Sequence, residues 1–152
     1  MSAKMVRRWL IPGMVTMLTA SGMAQERASF AGTWTAVTGP QRLAIEQSIA
    51  QLVVTDARGQ KLTYRLDGSE SRNETFTVRG EKWTHVSQAR WVSSAVVITT
   101  TTTREAGQHW DWLTIYRRDG SGNLQVTTLD AVTDPGPFNA MALTTTSYRQ
   151  AP

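Results

Sequence analysis

No cysteine occurs anywhere in these 152 residues. That removes thiol nucleophiles, thiolate metal sites and disulfides from consideration, so stability must come from packing and strand pairing. No apolar run reaches the roughly 20 residues a helix needs to cross a bilayer. The mostly apolar stretch Trp9 to Ala20 is shorter and contains Pro12 and Gly13. Charge of one sign is scarce as well. The formal net charge is +4, but three of the 16 basic residues, Lys4, Arg7 and Arg8, precede that stretch. Without them the balance against the 12 acidic residues is +1. No basic stripe remains for nucleic acid or an anionic membrane surface. No segment has a convincing helical period, so a phosphate-binding loop leading into a helix is excluded too.

What is present begins with an export pattern. The basic start, the apolar stretch and the small residues of Ser21-Gly22-Met23-Ala24 together form a secretory signal over residues 1–24, cleaved before Gln25. Arg7-Arg8 leaves the twin-arginine route open beside the general one. No cysteine follows the apolar stretch, which excludes a lipid-modified start. The expectation is a periplasmic or secreted protein whose residues 25–152 form one domain. It has no membrane span after cleavage.

The mature part alternates apolar and polar residues, the period of a half-buried strand. Leu62, Tyr64 and Leu66 are interleaved with Lys61, Thr63 and Arg65. Phe76 and Val78 share one face, as do Trp83, His85, Ala89 and Trp91. Ala95 to Arg104 is β-branched almost throughout, which suits a pleated surface. Runs at 108–117, 123–129 and 142–149 follow, and 41–50 reads as strand and turn. Ala57-Arg58-Gly59-Gln60, Asp67-Gly68-Ser69, Arg79-Gly80, Ala106-Gly107 and Asp119-Gly120-Ser121-Gly122 supply hairpin turn chemistry. Asp134-Pro135-Gly136-Pro137 breaks the sheet before the last strand. This spacing predicts an all-β fold, an antiparallel up-and-down barrel of about 8–10 strands.

Phe30-Ala31-Gly32-Thr33-Trp34 resembles the Gly-x-Trp opening of lipocalins and related calycin barrels. Ile45-Glu46-Gln47, Ala89-Arg90-Trp91, Asp111-Trp112-Leu113 and Tyr148-Arg149 extend the resemblance to small exported bacterial barrels of lipocalin-like type. The lipocalins' second and third motifs are not clearly present. The resemblance implies a structural plug in which Gly32 and Trp34 close one end and Arg149, from the last strand, covers the indole.

Candidate chemistry is sparse. His109 and Asp111 share a strand face, but a metal site needs three or four converging ligands, and none is expected. Gly120-Ser121-Gly122 sits in a turn and lacks a nucleophile elbow. Asp119 to Asn123 superficially resembles a calcium loop without its later glutamate. Asn73-Glu74-Thr75 is a glycosylation sequon. The aromatics remain. Tyr64, Phe76, Trp83, His85, Trp91 and Trp112 are the expected lining of an interior that takes up a small hydrophobic or amphipathic molecule. No cofactor and no catalysis are expected. Two alternatives stay open: a filled barrel serving as an accessory protein of the cell envelope, with an unknown protein partner, and a barrel-scaffold enzyme using His85 or His109.

Overall fold

The structure, a computed structural model, describes residues 27–131 and 141–152. The signal expected over 1–24 and the break at 134–137 lie outside these residues. The first five strands are β1 Gly32–Ala36, β2 Arg42–Gln47, β3 Gln51–Asp56, β4 Lys61–Arg65 and β5 Asp67–Phe76. They are followed by β6 Lys82–Val92, β7 Ala95–Arg104, β8 His109–Arg118, β9 Leu124–Ala131 and β10 Met141–Gln150. No helix among the described residues is long and apolar enough to cross a membrane.

All ten strands belong to one antiparallel sheet, ordered β4-β3-β2-β1-β10-β9-β8-β7-β6-β5. Chain neighbours other than β4 and β5 pair as hairpins, and β1 pairs with β10 through Trp34 opposite Gln150 and Ala36 opposite Tyr148. The sheet thus curls into a nearly closed up-and-down barrel, as the strand spacing predicts. The Gln51–Asp56 strand joins the set, although its Leu52-Val53-Val54 core does not alternate cleanly.

β4 and β5 lie side by side without a backbone ladder. Side chains join them instead. Ser71 Oγ accepts the Arg65 N–H at 2.8 Å. Asn73 Oδ1 accepts the Thr63 N–H at 2.7 Å, while Asn73 Nδ2 donates to the Thr63 carbonyl at 2.9 Å. One amide group therefore reproduces the donor and acceptor of a missing strand partner. Gln60 Nε2 adds a bond to the Phe76 carbonyl at 2.8 Å. Exposed strand edges invite pairing with other chains, and these bonds occupy edge groups that would otherwise offer it. They also occupy the sequon: the buried, bonded amide of Asn73 is not presented for glycosylation in the folded barrel.

The seam changes two expectations. Asp67-Gly68-Ser69 is not a hairpin turn but lies at a register shift between Asp67 and Glu70, a bulge at the start of β5. Beyond the bulge, Ser71 and Asn73 are the buried positions, while Phe76 and Val78 are exposed. Apolar alternation put Phe76 and Val78 on one face and made Phe76 a lining candidate. The seam needs polar groups at the buried positions, and that need prevails.

Elsewhere the inner face follows the sequence pattern, with Trp34, Leu52, Val96, Ile98 and Leu124 almost fully buried. The end of the barrel bearing the start of β1 is closed. Phe30 and Trp34 fill it, both at 0% exposure. Trp34 Nε1 donates to the Phe30 carbonyl at 2.8 Å, and the Phe30 N–H donates to Gln47 Oε1 at 2.7 Å. Phe30 stacks on Trp91, with ring centroids 5.7 Å apart. Gly32 has φ +135°, a backbone conformation that residues with a Cβ rarely adopt, so the opening glycine is required by its backbone.

The cation over Trp34 differs from the implied one. Arg149 alternates outward with Thr35 and is exposed. Arg118 from β8 takes the role, its guanidinium 4.5 Å from the ring centroid. Its Nε and Nη2 donate to the Ser29 carbonyl and its Nη1 to the Gly122 carbonyl. The plug is therefore built from Gly32, Trp34 and Arg118.

Candidate functional site

The opposite end of the barrel is open. Turns 57–60 and 77–81 border a cavity of about 630 Å³ whose wall includes Leu43, Leu62, Trp83, His85, Trp112 and Tyr116. These side chains occupy inward positions on β2, β4, β6 and β8, so the alternation of each strand produces the wall. Phe76 and Val78 contribute at the rim, where they are 54% and 92% exposed. Arg58, Arg79, Asp56 and Glu81 bring charge to the same border. A smaller depression of about 470 Å³ crosses the outer face, bounded by Val86, Thr99, Asp111 and Leu113.

Four of the six expected lining residues, Phe76, Trp83, His85 and Trp112, surround this one cavity. Tyr64 and Trp91 do not border it. Tyr64 is packed in the core below, 7% exposed. Trp91 belongs to the closed end, stacked on Phe30 with Arg27 5.6 Å above its ring. Both face inward as their parity requires. Parity says nothing about height along the barrel axis, and that separates them from the cavity.

A polar chain runs along the wall. Trp112 Nε1 donates to Thr102 Oγ1 at 2.6 Å. Thr102 Oγ1 lies 2.8 Å from His85 Nδ1, and His85 Nε2 lies 2.8 Å from Thr75 Oγ1. His85 is 8% exposed, and burial pushes its pKa below the ordinary 6.5, which favours the neutral ring. Burial likewise raises the phenol pKa of Tyr64 and of Tyr116. The deep wall is therefore uncharged at neutral pH.

At the mouth, Trp83 and Trp110 meet edge to face with centroids 5.2 Å apart. Arg104 lies over both rings, at 5.0 and 5.2 Å. Trp83 Nε1, Arg104 Nε and Asp130 Oδ1 are buried without a hydrogen-bond partner among the described residues. Thr75, Thr102 and Arg104 escaped the sequence reading. Even positions of the threonine run do face inward, a signal visible in the alternation. Which hydroxyl meets which ring depends on cross-strand register.

The other sequence candidates have local roles. Asp111 Oδ1 accepts from Thr101 Oγ1 on the outer surface at 2.6 Å. Asp119 Oδ1 accepts the N–H groups of Ser121 and Asn123 at 2.9 Å, so its carboxylate organises the turn. No cluster of three or more potential metal ligands occurs among the described residues.

The fold and the cavity define a nearly closed antiparallel barrel, hollow at one end and compatible with a lipocalin-like architecture. The chain matches no family model and no curated protein.

Proposed function

We propose that this is an exported, lipocalin-like barrel that binds one small hydrophobic or amphipathic molecule in the cavity at its open end and does not transform it. The observation that carries the reading is the cavity. Its volume of about 630 Å³ falls within the roughly 300–1,000 Å³ of small-molecule sites. Its deep wall is mainly apolar and aromatic, and His85 and Thr75 on that wall are hydrogen-bonded to each other, while the charged groups stand at the rim. The charged rim supports an amphipathic molecule, whose polar end can remain near water. The basic start and apolar stretch of residues 1–24 support export. A non-catalytic role is supported by His85, whose two ring nitrogens each meet a threonine hydroxyl rather than a carboxylate.

Native mass spectrometry of the protein purified from its producing cells tests this reading. A single small-molecule adduct at one-to-one stoichiometry, lost in Trp83→Ala, is expected. A bare mass under gentle conditions contradicts it.

A second reading, an accessory protein of the envelope, draws on the outer face. Leu113, Leu129 and Leu143 stand in register across β8, β9 and β10, and Leu143 is 69% exposed. Retention of an envelope protein by the wild type but not by Leu143→Lys is its expected outcome.

A further inference from the structure

The polar chain on the cavity wall has a definite count of protons. It comprises one indole N–H, two hydroxyls and one imidazole, which carries a single proton when neutral. That makes four protons for three hydrogen bonds, so one proton points elsewhere. Trp112 Nε1 can only donate, so Thr102 Oγ1 accepts from it. Thr102 is 0% exposed, and among the described residues its hydroxyl meets only Trp112 and His85. Its own proton therefore goes to His85 Nδ1, since leaving a buried donor unmade is costly. His85 then carries its proton on Nε2 and donates to Thr75 Oγ1. The proton left over is that of the Thr75 hydroxyl, and Thr75 borders the cavity.

We propose that Thr75 presents its hydroxyl proton to the cavity as a hydrogen-bond donor, and that the bound molecule carries an uncharged oxygen acceptor, of the ketone or ester carbonyl class, against it. His85, Thr102 and Trp112 are positioning residues that hold Thr75 in the donating orientation. An anionic oxygen fits this position poorly. The cations bordering the cavity, Arg58 and Arg79, are exposed in the rim turns, and Arg104 is held over the Trp83 ring beside Glu81 and Gln108, whereas Trp83 itself stands opposite Thr75 in register. A charge there would lose hydration without gaining an ion-pair partner.

This inference rests on the carrier reading, and the test separates the two. The probes are 2-acetylnaphthalene and 2-ethylnaphthalene, alike in shape and differing by a carbonyl, titrated by quenching of the tryptophan fluorescence. The ratio of ketone to hydrocarbon affinity is expected to fall about tenfold in Thr75→Val, the scale of one lost buried hydrogen bond. Thr75→Ser, which returns the hydroxyl, is expected to restore it. Binding of both probes with an unchanged ratio in Thr75→Val overturns the inference and leaves the carrier reading standing. Binding of neither probe by the wild type overturns both. Nitrogen-15 spectra of the His85 ring near pH 8 test the proton count with no variant and no probe. A proton on Nε2 is expected, and a proton on Nδ1 overturns the assignment.

Discussion

Arg118 lies 4.5 Å over Trp34 at the closed end, and Arg104 lies 5.0 Å over Trp83 and 5.2 Å over Trp110 at the mouth. The two clusters use the same residue types to different effect. Arg118 delivers three N–H groups to backbone carbonyls, and the Trp34 indole donates to the Phe30 carbonyl. Arg104 Nη1 donates to Gln108 Oε1 at 3.2 Å, but its Nε, 4.0 Å from Glu81, and the Trp83 indole N–H have no hydrogen-bond partner among the described residues. Phe30 and Trp34 exclude solvent completely, whereas Phe76 and Val78 at the mouth are half or almost wholly exposed. The closed end has the character of a finished core. The mouth retains unmade bonds and uncovered apolar surface, which the proposed ligand would use. On the proposed reading, stability and binding fall to opposite ends of the same strands.

Substitutions can break this division. The largest effect is expected for Trp34→Ala, which removes a fully buried indole and should cost roughly 4 kcal/mol in urea unfolding. At the seam, Asn73→Leu should cost about 2 kcal/mol and accelerate hydrogen exchange selectively at the Thr63 amide. Arg118→Met keeps the stem but leaves the carbonyls of the exposed Ser29 and Gly122 to water and removes the cation over Trp34. A loss of about 1 kcal/mol is expected, measured by the same unfolding curve. Arg149→Met should leave that curve almost unchanged, because its side chain points outward. Trp83→Ala should cost only about 1 kcal/mol, since the mouth contributes less to the fold. Equal costs for Trp34→Ala and Trp83→Ala would erase the distinction between the ends.

The smallest effect is a pH dependence. Burial lowers the pKa of His85 in the folded state below its ordinary 6.5. The unfolded chain therefore binds the proton more readily. The contribution is fully present above pH 6.5 and declines as the pH falls towards the folded-state pKa. His85→Asn should flatten that part of the stability profile, measured by thermal unfolding from pH 7.5 to 5.

The barrel could be read from the sequence because most strands bury one face and leave the other wet, so alternation reports the fold directly. It failed at β5, where Ser71 and Asn73 face the seam and serve as substitutes for a strand partner. No apolar pattern encodes that demand. The opening Gly32-Thr33-Trp34 likewise pointed to the plug, but its cation was misassigned. Arg149 is close to Trp34 across one strand pairing yet has the wrong parity, whereas Arg118 comes from β8 with the right one. The site was half visible. Parity placed Trp83, His85 and Trp112 inside together with Trp91. Trp91 stands at the other end of β6 from Trp83, beneath Phe30 and away from the cavity, and only register brings Thr75 and Thr102 to the two nitrogens of His85.

The division between the ends is tested most directly by titrating the uncharged fluorophore N-phenyl-1-naphthylamine into the wild type, Trp83→Ala and Trp91→Ala. The account predicts saturable one-to-one binding to the wild type, weakened about tenfold in Trp83→Ala by the lost aromatic contact and unchanged in folded Trp91→Ala. Equal weakening in both variants, or no saturable binding to the wild type, would contradict it.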